Sequence, residues 1–142
     1  MSGRWPFNSG CPHADWLQIG VFVTDSGMPR TLARAEGALA SARSFLFGTI
    51  AEIWDTACRG DQPGLEQRAL ALLAASQAVR AGTDAVDRVF RLAGAEAVFA
   101  HHPLQRCFRD IHAAGQHILF SPGRDQAFAK VRLGIDQPTF LI

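Results

Sequence analysis

Residues 31–60 read TLARAEGALASARSFLFGTIAEIWDTACRG, and this stretch decides the fold class. Its apolar residues recur at steps of three and four, the spacing that places side chains on one face of an α-helix. This stripe, which we predict to face a core, comprises Leu32, Ala35, Leu39, Ala42, Leu46, Ile50 and Ile53. Thr31 is the predicted N-cap. Gly60 follows Cys58 and Arg59 as the predicted left-handed C-cap.

Three further helical segments follow this first one. The second is predicted to start after Asp61 and to end at Gly94. The third is predicted to begin at Pro103 and to stop at residues 121–123, and a shorter fourth covers about residues 124–133. The residues of the third helix predicted to point inward are Leu104, Cys107, Phe108, Ile111 and Ile118. Four helices joined by brief turns predict a mainly α fold, an antiparallel four-helix bundle.

The amino-terminal residues differ from the rest in composition, being rich in Gly, Pro, Trp and Phe. Leu17 to Thr24 is a short apolar run with β-branched residues, which predicts a strand, and turn residues follow it. We therefore predict a short strand and loop segment over residues 1–29 and a helical bundle over residues 30–142.

The composition excludes several classes of function. Lys and Arg number 14 and Asp and Glu 13, so no net field would recruit nucleic acid or an anionic membrane. No run has the length and apolarity of a targeting or membrane-spanning segment. The three cysteines, Cys11, Cys58 and Cys107, form no CxxC pair, which favours a reducing, cytoplasmic location.

The chemically richest stretch is residues 91–117, which contains four of the five histidines. His112 and His117 are five positions apart, about 140° around a helix, so they do not form the i, i+4 pair that would bind one metal ion. Arg106 and Asp110 have i, i+4 spacing, which predicts a structural salt bridge. On an apolar-rich helix His117 is more often a packed or surface residue than a catalyst, and the pattern alone leaves its role open.

Residues 93–117, AGAEAVFAHHPLQRCFRDIHAAGQH, resemble the C-terminal helical domain of the acyl-CoA dehydrogenase superfamily. The matching residues are Gly94, Pro103, Arg106, Arg109 and Asp110. In true acyl-CoA dehydrogenases the pattern continues into a glutamate that removes the substrate's α-proton. This chain has Ile118 in that region, and isoleucine cannot accept a proton, so the resemblance does not favour α,β-dehydrogenation.

The branch that the sequence resembles instead is the two-component, reduced-flavin-dependent monooxygenases of the 4-hydroxyphenylacetate hydroxylase and dibenzothiophene monooxygenase type. The resemblance implies reduced flavin (FMN or FAD) from a separate flavin reductase, a small aromatic substrate and a tetramer-like homo-oligomer. It makes His117 the candidate catalytic histidine, able to deprotonate a phenol or to hydrogen-bond the oxygenated cofactor. It also implies that the turn formed by Ala93, Gly94 and Ala95 lies near the phosphate arm of the flavin.

Residues 3–16, GRWPFNSGCPHADW, are similar to the segment that enters the β-domain of these monooxygenases. The resemblance implies that the Ser9 hydroxyl contacts the flavin ring, with Trp5 and Gly10 beside the cofactor. From the residues alone, a simple turn with tryptophans that bury apolar area is the alternative.

Only the C-terminal part of a family member is matched, because the N-terminal helical domain and most of the β-domain are absent from these 142 residues. The function expected from the resemblance is therefore aromatic hydroxylation by an incomplete or truncated flavin monooxygenase. A noncatalytic helical oligomerisation domain and an acyl-CoA dehydrogenase remain the alternatives.

Overall fold

The computed structural model describes residues 27–121 and 123–135, which form four α-helices and two 3₁₀ turns. The helices are α1 Gly27–Cys58, α2 Leu65–Ala93, α3 Pro103–Gly115 and α4 Gly123–Arg132, and the 3₁₀ turns are Gly94–Val98 and Ile118–Phe120. The predicted mainly α fold, with two long and two shorter helices, is confirmed. The strand predicted at residues 17–24 lies outside the described residues. Within the described part of the chain, no helix is both long and apolar enough to cross a membrane.

Helix α2 is the centre of the arrangement and contacts each of the other three helices. Helix α1 runs antiparallel to it, because Gln67 at the start of α2 donates a hydrogen bond of 3.0 Å to Thr56 at the end of α1. Helices α3 and α4 follow one another along α2 in the opposite direction to it. The contacts that fix this order are Phe90 with Phe108, Arg80 with Asp125 and Glu66 with Arg132, and Val79 and Gly115 line the same cleft between them.

Small side chains form the contact between α1 and α2. Ala35, Thr49 and Thr56 are buried and lie at multiples of seven residues from one another, so they share one face of α1. They face an α2 whose buried residues are also small, and small side chains let two helix axes approach closely. The larger residues Leu32, Leu39 and Ile50 were predicted to point inward, and that prediction is wrong, since all three are exposed on the adjacent face. The small residues occupy the position of closest approach and leave no space there for the larger ones.

The predicted helix ends are correct where glycine terminates a helix. Gly60 and Gly94 both have positive φ, 81° and 66°, and follow α1 and α2 as predicted. The prediction of Thr31 as an N-cap is wrong, because α1 already begins at Gly27. Pro29 lies in the first turn of α1, where a residue without an N–H group breaks no helical hydrogen bond.

Helix α3 begins at Pro103 as predicted but ends at Gly115, before the predicted stop at residues 121–123. Gly115 is a weak helix former, and two residues later the backbone of His117 is extended. Ile118, predicted to point inward, therefore leaves the helix face and is 71% exposed. Cys107 was also predicted to be inward but is exposed.

Candidate functional site

His117 is the N-cap of the 3₁₀ turn Ile118–Phe120. Its Nδ1 accepts a hydrogen bond of 3.2 Å from the backbone N–H of Leu119, and its ring centroid is 5.9 Å from that of Phe120. Because Nδ1 accepts, the neutral ring carries its proton on Nε2. The side chain is exposed, and no residue of the described part of the chain bonds to Nε2. His117 therefore presents a hydrogen-bond donor outward.

A cleft of about 280 Å³ lies between α2 and α3 next to this histidine. Its lining residues are Ser76, Val79, Arg80, Thr83, Asp84, His112, Gly115, Gln116 and Phe120. His117 is not one of the lining residues, but Gln116 precedes it and the ring of Phe120 contacts it, so His117 lies beside the cleft, at its rim. Complete pockets for small molecules usually enclose about 300–1,000 Å³, so this cleft is the size of one part of a site. A larger groove of about 610 Å³ lies between α1 and α2, and no histidine lines it.

Asp87 and His112 form a polar contact that the sequence analysis missed. His112 Nε2 lies 2.9 Å from Asp87 Oδ1, and the His112 ring centroid is 4.3 Å from that of Phe108. The pair joins α2 to α3 and holds the helix that leads into His117. The two residues are 25 positions apart on different helices, so no local spacing could have revealed the contact.

The turn of Ala93, Gly94 and Ala95 lies at the carboxyl end of α2, whereas His117 lies next to the middle of that helix. Gly115, two residues before His117, lies beside Val79, because a Cβ atom at Gly115 would be 3.7 Å from Val79 Cγ1. Val79 is fifteen residues before Gly94. That separation along α2 is roughly 20 Å at the rise of an α-helix. The Gly94 N–H is already donated to the carbonyl of Arg91. The structure therefore does not bring this turn and His117 together within one copy of the chain.

The carboxyl end of a helix carries partial negative charge, which does not attract a phosphate group. The exposed Arg91 in the last turn of α2 is the cation nearest in sequence to the Ala93–Ala95 turn. A phosphate contact at this turn stays a prediction, and it would depend on Arg91.

The remaining predicted positions divide into two groups. Trp5, Ser9 and Gly10 lie outside the described residues, so their contacts stay predictions. The predicted salt bridge between Arg106 and Asp110 is confirmed, with 3.3 Å between Arg106 Nε and Asp110 Oδ2 on an exposed surface.

The family model described as acyl-CoA dehydrogenase, C-terminal domain, matches residues 24–122, more than half of the chain. The chain belongs to this family.

Two sequence relatives of this acyl-CoA dehydrogenase C-terminal domain carry names of oxygen-inserting enzymes. The pigment production hydroxylase of Rhodococcus erythropolis is 33% identical over 121 residues, which are 82% of this chain and 30% of that protein. The indole-3-acetate monooxygenase of Pseudomonas putida is 30% identical over 86 residues, 61% of this chain and 22% of that protein. The resemblance to the monooxygenase branch is thereby confirmed.

Two solved structures share the fold of this acyl-CoA dehydrogenase C-terminal domain. The HsaA monooxygenase from M. tuberculosis has a TM-score of 0.75 at 25% identity, over 81% of this chain and 30% of that one. The 3-HSA hydroxylase from Rhodococcus sp. RHA1 has a TM-score of 0.74 at 24% identity, over 80% of this chain and 30% of that one, a likeness of fold. The chain spans less than a third of the length of each of these four proteins.

Proposed function

We propose that this domain supplies one wall of a flavin-dependent monooxygenase site that hydroxylates an aromatic or heteroaromatic substrate with reduced flavin and molecular oxygen. The observation that carries the proposal is the outward-facing Nε2 donor of His117 at the rim of the α2–α3 cleft. The names of the relatives, a hydroxylase and a monooxygenase at 33% and 30% identity, support the same reaction class.

The residues around the cleft suit one side of a flavin and its substrate. A flat aromatic substrate with an oxygen atom at its edge matches the ring of Phe120 and the donor of His117. A cleft of about 280 Å³ is too small for the whole cofactor, so the remaining walls must come from other residues. Ser9, with Trp5 and Gly10 beside it, is proposed to contact the flavin ring from a second wall. A bound reduced flavin, FMN or FAD, would supply the activation of oxygen.

His117 acts first as a donor in this proposal. Its Nε2–H donates to an oxygen atom of the substrate or of the oxygenated cofactor, and the Leu119 N–H holds the ring in that tautomer. Nδ1 is the one acceptor nitrogen of the neutral ring, so His117 takes a phenol proton only after Nδ1 has been released from the Leu119 N–H. Val79 and Phe120 in the cleft exclude water, which keeps the oxygen chemistry directed to the substrate.

The proposed partners follow from the same family membership. A separate reductase supplies the reduced flavin, and the domain forms a homo-oligomer. The turn of Ala93, Gly94 and Ala95 then contacts the phosphate arm of a flavin held by another copy, because roughly 20 Å separates it from His117 along α2.

Anaerobic titration of the purified chain with reduced FMN and FAD tests the cofactor assignment. We expect saturable binding that Ser9→Ala weakens by about tenfold, the loss of one hydrogen bond of roughly 1.4 kcal/mol. His117→Ala should leave the Kd for flavin within about twofold, and the matched control His101→Ala should do the same. Absence of saturable binding at millimolar flavin would contradict the cofactor role.

A noncatalytic oligomerisation domain is the second candidate function. The exposed apolar residues of α1, among them Leu32, Phe47 and Trp54, favour it, since such surfaces mark interaction sites. A chain that associates but does not bind flavin would have this function alone.

A further inference from the structure

His112 lines the α2–α3 cleft, and one of its two ring nitrogens is committed to Asp87. Nε2 lies 2.9 Å from Asp87 Oδ1, and an ionised carboxylate only accepts hydrogen bonds, so Nε2 carries the proton of the neutral ring. Nδ1 then carries the lone pair, and within the part of the chain that the structure describes no group donates a hydrogen bond to it. His112 therefore keeps an acceptor nitrogen for a ligand of the cleft, whereas the neutral His117 offers a donor.

Two contacts hold the His112 ring in one orientation. Asp87 accepts from one edge of the ring, and the centroid of the Phe108 ring lies 4.3 Å from its own. The side chains of His112 and Asp87 are 39% and 27% exposed, so water screens their contact only in part. A histidine that a carboxylate orients through one nitrogen can take a proton at the other, and the carboxylate stabilises the imidazolium ion that forms.

The cleft contains a second polar group without a partner. Arg80 is engaged with Asp125 at 2.7 Å, and the Thr83 hydroxyl donates to the carbonyl of Val79 at 2.9 Å. Ser76 also lines the cleft and is 1% exposed, and among the described residues its Oγ has no hydrogen-bond partner. Buried polar atoms normally have a partner, so Ser76 indicates that a polar group or a water molecule occupies the cleft.

We propose that His112 is a second catalytic residue of this site, the base that takes the proton of a phenolic substrate. The O–H bond of the phenol breaks, an N–H bond forms at Nδ1, and the phenol oxygen keeps the electron pair. The products are a phenolate and an imidazolium ion that Asp87 faces, and the step needs no oxidant. His117 stays bonded to the Leu119 N–H and continues to donate through Nε2. The inference rests on the proposed function, whose substrate it narrows to phenols.

Titration of the full chain with 4-nitrophenol tests this step without flavin. The phenolate of this probe absorbs visible light that the neutral phenol does not absorb, so the absorbance reports proton transfer. At a pH where the free probe is mostly neutral, we expect the chain to raise the phenolate fraction saturably. Long-range ¹H–¹⁵N correlation spectra should show that Nδ1 of His112 gains a proton over the same titration, while the exposed His101 is unchanged.

Two variants separate proton transfer from packing. His112→Phe keeps a ring against Phe108 but has no nitrogen, so it should abolish the phenolate signal. Asp87→Asn keeps an acceptor for Nε2–H without the charge, and it should lower the ratio of bound phenolate to bound phenol about tenfold. Asp110→Asn removes the same charge from the exposed surface of α3 and should leave this ratio within about twofold. Circular dichroism should show the same helical content in all three variants.

Three results would overturn the proposal: no phenolate at millimolar probe, a signal that survives His112→Phe, or equal losses in Asp110→Asn and Asp87→Asn. Phenolate formation by a chain that does not bind reduced flavin would support the role of His112 and contradict the cofactor assignment. Saturable flavin binding without phenolate formation would overturn the role of His112 alone.

Discussion

At the scale of single residues, two histidines cap the helical elements that follow them with the same hydrogen bond. His102 and His117 each stand at the N-cap of the element that follows, and in each case Nδ1 accepts the N–H of the residue two positions on, at 3.2 Å. The bond satisfies a backbone donor that a helix start leaves free. It also fixes which ring nitrogen carries the proton.

We predict that His102 and His117 are Nε2-protonated tautomers when neutral, because Nδ1 of each accepts from the backbone. Long-range ¹H–¹⁵N correlation spectra at a pH where histidine is neutral measure this directly. The exposed His101 serves as an internal reference without such a cap. A protonated Nδ1 at His117 would remove the donor role that we assign to it.

Asp87 and His112 give a second prediction at this scale. His112→Ala should lower the free energy of unfolding by about 1–2 kcal/mol, since it removes a half-buried hydrogen bond and the ring contact with Phe108. The matched control His101→Ala should change it by no more than about 0.5 kcal/mol. Urea denaturation measures both variants, and equal effects would show that the contact adds nothing to stability.

The sequence predicted only part of this residue-level chemistry. The salt bridge of Arg106 and Asp110 follows from helical spacing alone and is confirmed. The caps at His102 and His117 depend on where each helix starts or stops, and the contact of Asp87 with His112 depends on how two helices pack. No local pattern carries that information.

At the scale of elements, glycine and proline explain where the helices begin and end. Gly60 and Gly94 were predictable as ends because only glycine adopts positive φ without strain. The start of α1 was not predictable, because Pro29 is typical of a turn although it is equally suited to the first turn of a helix. The end of α3 was missed because the apolar spacing continues past Gly115 although the helix does not.

The same substitution should have opposite effects at two glycines. Gly48 lies inside α1, and a Cβ there would meet nothing within 4 Å, so Gly48→Ala should stabilise the fold by about 0.5–1 kcal/mol. Gly60 has a φ of 81°, so Gly60→Ala should destabilise it by about 1 kcal/mol even though space is available. Thermal unfolding followed by circular dichroism compares the two, and shifts of the same sign would refute the assignment of the helix end.

Helical periodicity identified α1 and placed its buried side only in part. Ala35 is buried and Ala42, Leu46 and Ile53 are half-buried as predicted, whereas Leu32, Leu39 and Ile50 are exposed. The apolar stripe and the small-residue stripe of Ala35, Thr49 and Thr56 overlap, and periodicity weights large and small side chains alike. The small residues are the buried ones because they permit the closest contact between the two helices. The larger side chains of Leu32, Leu39 and Ile50 remain exposed beside them.

At the scale of the whole molecule, the chain is a helical domain built around α2 and spans less than a third of the relatives that it matches. Helical spacing predicted the fold, and the motif in residues 93–117 predicted the family. Both predictions are confirmed. A meeting of His117 with Trp5, Ser9 and Gly10 stays a prediction, because it depends on how distant segments are placed and residue spacing carries no such information.

The central claim is that His117 of this domain serves aromatic hydroxylation. The most direct measurement is turnover of a chimera in which the helices of this chain replace the matched 30% of the HsaA monooxygenase. We expect a chimera that binds reduced flavin and hydroxylates its aromatic substrate, and whose kcat falls at least about a hundredfold in His117→Ala but not in His101→Ala. A folded, flavin-binding chimera without turnover, or one whose turnover survives His117→Ala, would contradict the claim.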